Sequence, residues 1–222
     1  MTKAVVRVSM RGVLFALSDF MPTMQRLVVY LVAGWSGYYV MAIELLSGRI
    51  LAPNFGNSIY VWGGIITVFM IALSVGYLVG GQLSVFAPTQ AKLAGLLLAA
   101  AAATLPVVVL GDAVLDWLFN RVHDPRYASL IASSTLFFIP TAVSGMVSPY
   151  AVRLLATNLR AAGRSAGGLF FVSTFGSAAG TIITSFYMVL WFEVNQIFMG
   201  MIAVSTLIGL VGLGFRDAGG LD

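Results

Sequence analysis

One carboxylate, Glu44, lies inside the long apolar runs of this chain. A charge at the centre of an inserted helix costs roughly 2.5 to 3.5 kcal/mol, so Glu44 calls for a partner, a cavity or a ligand. The chemistry open to a lone carboxylate is neutralisation of a cation. Tyr38, Tyr39, Tyr60 and Trp62 supply aromatic faces for the same charge, each such contact contributing about 0.5 to 2 kcal/mol. These five residues are the candidate substrate-binding set. Catalytic chemistry is poorly provided. The chain has no cysteine and a single histidine, His123, no HExxH, no Ser–His or Cys–His pair, and no second carboxylate in an apolar run to share acid–base work. His123, beside Asp124 and Pro125, reads as part of a solvated loop rather than a metal site. No catalytic residue, metal or cofactor is therefore expected, and an intramembrane enzyme is the weakest functional reading.

The elements that must position Glu44 are membrane spans. A chain of 222 residues that is 59% hydrophobic and 9% charged, with a mean hydropathy of +0.97, is not built around an ordinary soluble core. A helix needs about 20 apolar residues to cross a hydrocarbon layer of roughly 30 Å. Six runs qualify, at about Gln25 to Ile50, Ser58 to Val85, Ala91 to Leu110, Tyr127 to Leu154, Ser165 to Trp191 and Asn195 to Phe215. The expected fold is all-α: a six-helix membrane domain over residues 25–216, a basic amphipathic segment over 1–24 and a short tail over 217–222. Lys3, Arg7 and Arg11 form one helical stripe of the leading segment, which suits an anionic membrane surface. Between Gly111 and Arg126, Val114, Leu115, Trp117, Leu118 and Val122 alternate with Asp112, Asp116 and Arg121, which predicts a helix lying on the outer interface at about residues 112–122.

The sequence pI of about 9.6 reports topology rather than a nucleic-acid partner. With the N-terminus in the cytoplasm, nine of the twelve Lys and Arg fall on the cytoplasmic side, as the positive-inside bias requires. Both termini are thus expected to be cytoplasmic and no cleavable signal peptide is expected. Arg49, Arg153, Arg160 and Arg164 are read as interfacial charges. The partner common to all of this is the lipid bilayer.

Small residues set the packing. Gly34, Gly37, Met41, Glu44 and Gly48 step by three or four and so share one face of the first span, the kind of face on which membrane helices approach closely. Arg49 lies about 140° around the helix from Glu44 and is badly placed to pair with it. Pro53, Asn54, Gly56 and Asn57 predict a turn. Gly76 and Gly80 of the second span recur 100 residues later as Gly176 and Gly180 of the fifth, and Pro140, Gly145 and Pro149 predict an interrupted fourth span. Three spans followed by three of opposite orientation make an inverted 3+3 repeat, a half-facilitator-like bundle.

Several of these motifs occur together in a known group. The run from Glu44 to Trp62 (ELLSGRILAPNFGNSIYVW), Gly76-Tyr-x-x-Gly-Gly81, Gly145-Met-Val-Ser-Pro-Tyr150, and Gly163-Arg-Ser-Ala-Gly167 leading into Ser173-Thr-Phe-Gly-Ser177 resemble the membrane domain of spermidine-synthase-like proteins, the fused major-facilitator/spermidine-synthase group. The likeness runs from about Glu44 to Thr184. In that group the bundle is commonly joined to a cytosolic aminopropyltransferase-like domain. No strand with a glycine-rich nucleotide-binding turn occurs here, and Gly81 to Thr89 lacks the charged Asp-Arg loop of a facilitator. The resemblance implies a module of the bacterial inner membrane, transporter-like or substrate-presenting for a polyamine-type cation, working with a separate cytosolic aminopropyltransferase-like protein. Because six helices make half a facilitator, it also implies a homodimer or a larger membrane complex. The alternative is a structural or assembly subunit in which Glu44 is a clasp, hydrogen-bonded to a hydroxyl of a neighbouring span.

Overall fold

The computed structural model describes the backbone of residues 2–156 and 159–214 and the side chains of 24–156 and 162–214. Every element among them is helical: α1 (Thr2–Phe55), α2 (Ile59–Leu83), α3 (Gln90–Arg121), α4 (Pro125–Gly145), α5 (Val147–Leu155), α6 (Leu159–Ile183), α7 (Val189–Trp191) and α8 (Val194–Gly214), with a π-helical turn at Thr184–Met188 joining α6 to α7. Six stretches are long and apolar enough to span a membrane: Met24–Phe55, Ile59–Leu83, Gln90–Arg121, Pro125–Leu155, Ala162–Trp191 and Val194–Gly214. The protein is an integral helical membrane bundle.

Local chemistry sets the breaks. Gly56 takes a left-handed φ of +78° after α1, a conformation that costs glycine nothing. The Thr89 hydroxyl accepts from the Lys92 amide at 3.3 Å to cap α3, and Asp124 accepts from the Arg126 amide at 2.9 Å to cap α4, with Pro125 opening the helix. Both are ordinary N-terminal caps. The fourth span is interrupted at Met146, between α4 and α5, next to Gly145 and just before Pro149.

Spans 1 and 4 are the most buried and span 5 the least. The principal pairings are α1 with α6, α2 with α4, and α3 with α8; α3 also lies along α4. α2 and α6 make at most marginal contact with each other. Lipid tails are as apolar as leucine, so close van der Waals packing and interhelical hydrogen bonds hold such a bundle together. The glycines show how close. A Cβ at Gly176 would meet the Gly34 carbonyl, and one at Gly180 would sit 2.5 Å from the Tyr38 carbonyl oxygen. Likewise a Cβ at Gly76 would meet the Ala142 carbonyl, and one at Gly80 would sit 2.5 Å from the Met146 carbonyl oxygen. In each pair, contacts advance by four residues on both helices in the same direction, so α6 runs parallel to α1 and α2 runs parallel to α4.

Two expectations are corrected. Residues 112–121 are not a separate interfacial helix; they are the outer end of α3. Leu115 and Leu118 are buried and continue the inward stripe of Thr104, Val107 and Gly111, so packing carries the helix upward past its charged residues. Pro53 and Asn54 do not turn the chain either. α1 continues to Phe55, with Leu51 and Phe55 buried in the core and Asn54 donating to Asp116 at 3.2 Å; the turn is confined to residues 56–58. The side chains of the amphipathic stripe expected over 1–24, apart from Met24, and the whole tail over 217–222 lie outside what the structure describes.

Charge is divided between the two ends. Arg26, Lys92, Arg153 and Arg164 are exposed at the end where span 1 begins. Arg49, Arg121 and Arg126 are exposed at the other, together with Asp112, Asp116, Asp124 and Glu193.

Candidate functional site

Glu44 sits on the third helical turn from the outer end of α1. Helical geometry puts it within about 40° of arc of both Gly37 and Gly48. Gly37 is pressed against the Ser173 carbonyl of α6, and the Ser177 hydroxyl lies 3.2 Å from the Gly37 carbonyl it donates to. Gly48, one turn outward of Glu44, lies under the ring of Trp62 on α2, which would be 2.6 Å from a Cβ there. The face that carries Glu44 therefore meets α6 below and α2 above. Because those two helices barely touch, Glu44 stands where they part.

Its carboxylate is half-buried and has no hydrogen-bond or ion-pair partner among the described residues; only its backbone carbonyl is engaged, accepting from the Ser47 hydroxyl at 2.7 Å. Arg49 is exposed and takes no part. The one ion pair among the described residues joins Arg126 to Asp124 at 4.0 Å, in the exposed outer loop. The hydroxyl clasp expected under the structural alternative is thus not formed among these residues.

The four aromatic residues of the candidate set are not gathered around Glu44. Tyr38 and Tyr39 lie about 120° and 140° around the helix from Glu44. Tyr38 stacks on Trp35 with centroids 5.0 Å apart and donates to the Met188 sulfur at 3.4 Å. Tyr39 is buried, its hydroxyl 2.7 Å from that of Thr104 on α3. Tyr60 is exposed at the outer end, its ring 4.4 Å beneath the Arg126 guanidinium. Only Trp62 shares the Glu44 side, its indole N–H donating to Asn57. Of the interfacial arginines, Arg49, Arg153 and Arg164 are exposed at span ends, and the Arg160 side chain lies outside the described residues.

Because Tyr39 faces away from Glu44, Tyr39→Phe separates structure from binding. Thr104 keeps its bond to the Ala100 carbonyl at 2.9 Å, so the expected loss in thermal or denaturant unfolding is about 1 kcal/mol. Any cation response centred on Glu44 is expected to survive unchanged in the same variant.

Some polar features were not read from sequence. The Trp35 indole donates to Ser205 of α8 at 2.8 Å, and Ser36 donates to the Ser144 carbonyl of α4 at 3.1 Å. The Thr184 hydroxyl is buried without a partner among the described residues, at the start of the π-helical turn. Such turns often sit near functional positions. At the outer end, His123 lines a pocket of about 310 Å³ with Asn54 and Asn120.

Fold and site together define a polytopic helical membrane protein with a half-buried carboxylate, Glu44, within its first span, on the face of α1 between its contacts with α2 and α6. No protein-family model matches the chain, and no curated protein and no solved structure is significantly similar to it.

Proposed function

We propose that the protein is the membrane module of a spermidine-synthase-like system, binding a polyamine-type cation at Glu44 and either carrying it or presenting it to a separate cytosolic aminopropyltransferase-like enzyme. One observation carries this reading: a half-buried carboxylate without a partner among the described residues, on the face of α1 between its contacts with α6 at Gly37 and α2 at Gly48. Intramembrane ionisable groups that face a cavity rather than lipid mark substrate or ion pathways. An extended polyamine also suits a site with one charge and a neighbouring indole, Trp62, better than a compact hydrated metal ion, which takes several oxygen ligands.

The paired glycine contacts support a half-facilitator repeat. Gly76 and Gly80 engage Ala142 and Met146 of the fourth span, as Gly176 and Gly180 engage Gly34 and Tyr38 of the first. In that arrangement a homodimer or a second bundle completes the cavity over Glu44. The cytoplasmic placement of both termini, in a bacterial inner membrane, belongs to the same proposal and rests on the basic end of the bundle. The structural-subunit reading draws on the exposed apolar faces of spans 2 and 5, including Met70, Leu78, Phe171 and Phe175; a lipid annulus covers such faces equally well, so it carries less.

The test is thermal unfolding of the purified protein across a spermidine titration. A ligand at about 100 times its Kd adds about 2.7 kcal/mol to the folded state, so the wild-type midpoint should climb with concentration while Glu44→Gln stays flat. Absence of a response in both proteins would sink the polyamine site.

A further inference from the structure

A second site lies at the opposite, basic end of the bundle. α6 and α8 both pack on α1 there but make at most marginal contact with each other. Between them runs a groove of about 640 Å³ lined by Leu27, Leu31, Trp35, Val172, Leu207 and Val211 among others, nearly all of it hydrocarbon. The long dimension follows the helices: the lining on α1 extends from Leu27 to Tyr38, which at 1.5 Å per residue is roughly 16 Å. That length suits one acyl chain lying along the helices.

The charge at its mouth selects the lipid. On α1, Tyr30 reaches Gly168 of α6, its hydroxyl 3.2 Å from where a Cβ would stand. The two helices are parallel, so one turn further down from each residue of that pair brings Arg26 and Arg164 to the same level. Both are exposed. Among the residues whose side chains are described, every carboxylate other than Glu44 (Asp112, Asp116, Asp124 and Glu193) lies at the other end of the bundle, and neither guanidinium has an ion-pair partner among them. Guanidinium is the side chain best matched to phosphate, through paired N–H donors.

We infer that this groove binds an anionic phospholipid, with one acyl chain between α1, α6 and α8 and its phosphate against Arg26 and Arg164. The lipid fills the gap left beside α6, the least buried span, and so acts as a packing element of the bundle as well as a ligand. The site is separate from Glu44, which lies further along α1 toward its outer end, beyond Tyr38, the last residue of α1 that lines the groove.

The experiment uses the full chain purified in a neutral detergent, with thermal unfolding followed while dioleoyl phosphatidylglycerol or dioleoyl phosphatidylcholine is added. Phosphatidylglycerol is expected to raise the wild-type midpoint by about 5 °C more than phosphatidylcholine. Soluble glycerol 1-phosphate, which has the headgroup but no chain, is expected to produce no shift. The double variant Arg26→Gln/Arg164→Gln should behave as wild type in phosphatidylcholine and lose the preference for phosphatidylglycerol. Val211→Trp, at an exposed groove position, places an indole where the acyl chain lies and should remove the response to both lipids. The proposal is overturned if wild type responds equally to the two lipids, if the double arginine variant keeps the preference, if Val211→Trp retains the full shift, or if glycerol 1-phosphate alone reproduces it.

Discussion

Gly176→Val is expected to destabilise the protein by about 3 kcal/mol or more, the upper end of the range for overpacking. Its Cβ would overlap the Gly34 carbonyl and stand 3.1 Å from the Gly34 Cα. Both obstacles are backbone atoms, so no change of rotamer relieves them and the helices must separate. α1 is the main neighbour of α6, and in lipid no hydrophobic force pushes the pair back together once close packing is lost. The α2–α4 contact predicts a matching effect for Gly76→Val, where the Ala142 carbonyl and the Gly145 Cα, 3.0 Å away, stand in the way. Gly63→Ala is the control. Nothing lies within 4 Å of a Cβ there, and alanine is favoured over glycine within a helix by up to about 1 kcal/mol. Denaturant midpoints of the three variants check the ordering, which fails if Gly63→Ala costs as much as Gly176→Val.

Glu44→Gln is expected to act in two opposite directions. Without ligand the variant should be more stable than wild type, by about 1 kcal/mol, because a half-buried charge without a partner among the described residues is replaced by a neutral amide; the full cost at a bilayer centre would be larger. With a polyamine present the advantage should disappear, since only wild type gains from binding. A site that lowers stability in exchange for a ligand is a common trade. The clasp reading predicts the reverse sign, since removing one partner of a buried hydrogen bond destabilises. Unfolding midpoints of the two proteins without polyamine separate the readings.

The span count was legible because six apolar runs of bilayer length are interrupted by glycine, proline and charge at the places where helices must turn. The fourth-span break was equally legible from Gly145 and Pro149, whose backbone chemistry is local. The outer end of α3 was not. Residues 112–121 have the alternation of an interfacial helix, and only the burial of Leu115 and Leu118 against other spans decides that they continue the third. The same holds for Pro53, which a single-residue preference assigns to a turn and which the burial of Leu51 and Phe55 keeps in helix. At the site, helical spacing placed Glu44 with Gly37 and Gly48 and separated it from Arg49. Proximity in sequence is not proximity on a helical surface, however: Tyr38 and Tyr39 are close to Glu44 along α1 and turned away from it. The partners of Trp35 and Ser36 come from α8 and α4, 170 and 108 residues distant, and no local pattern encodes them.

The central claim is that Glu44 is the anionic half of a polyamine site. Equilibrium dialysis of labelled spermidine against the purified protein tests it most directly, with Tyr39→Phe and Glu44→Gln alongside wild type. Saturable binding is expected for wild type and Tyr39→Phe alike, weakened at least tenfold in Glu44→Gln, which corresponds to about 1.4 kcal/mol of lost interaction. Equal spermidine affinity in wild type and Glu44→Gln would contradict the claim.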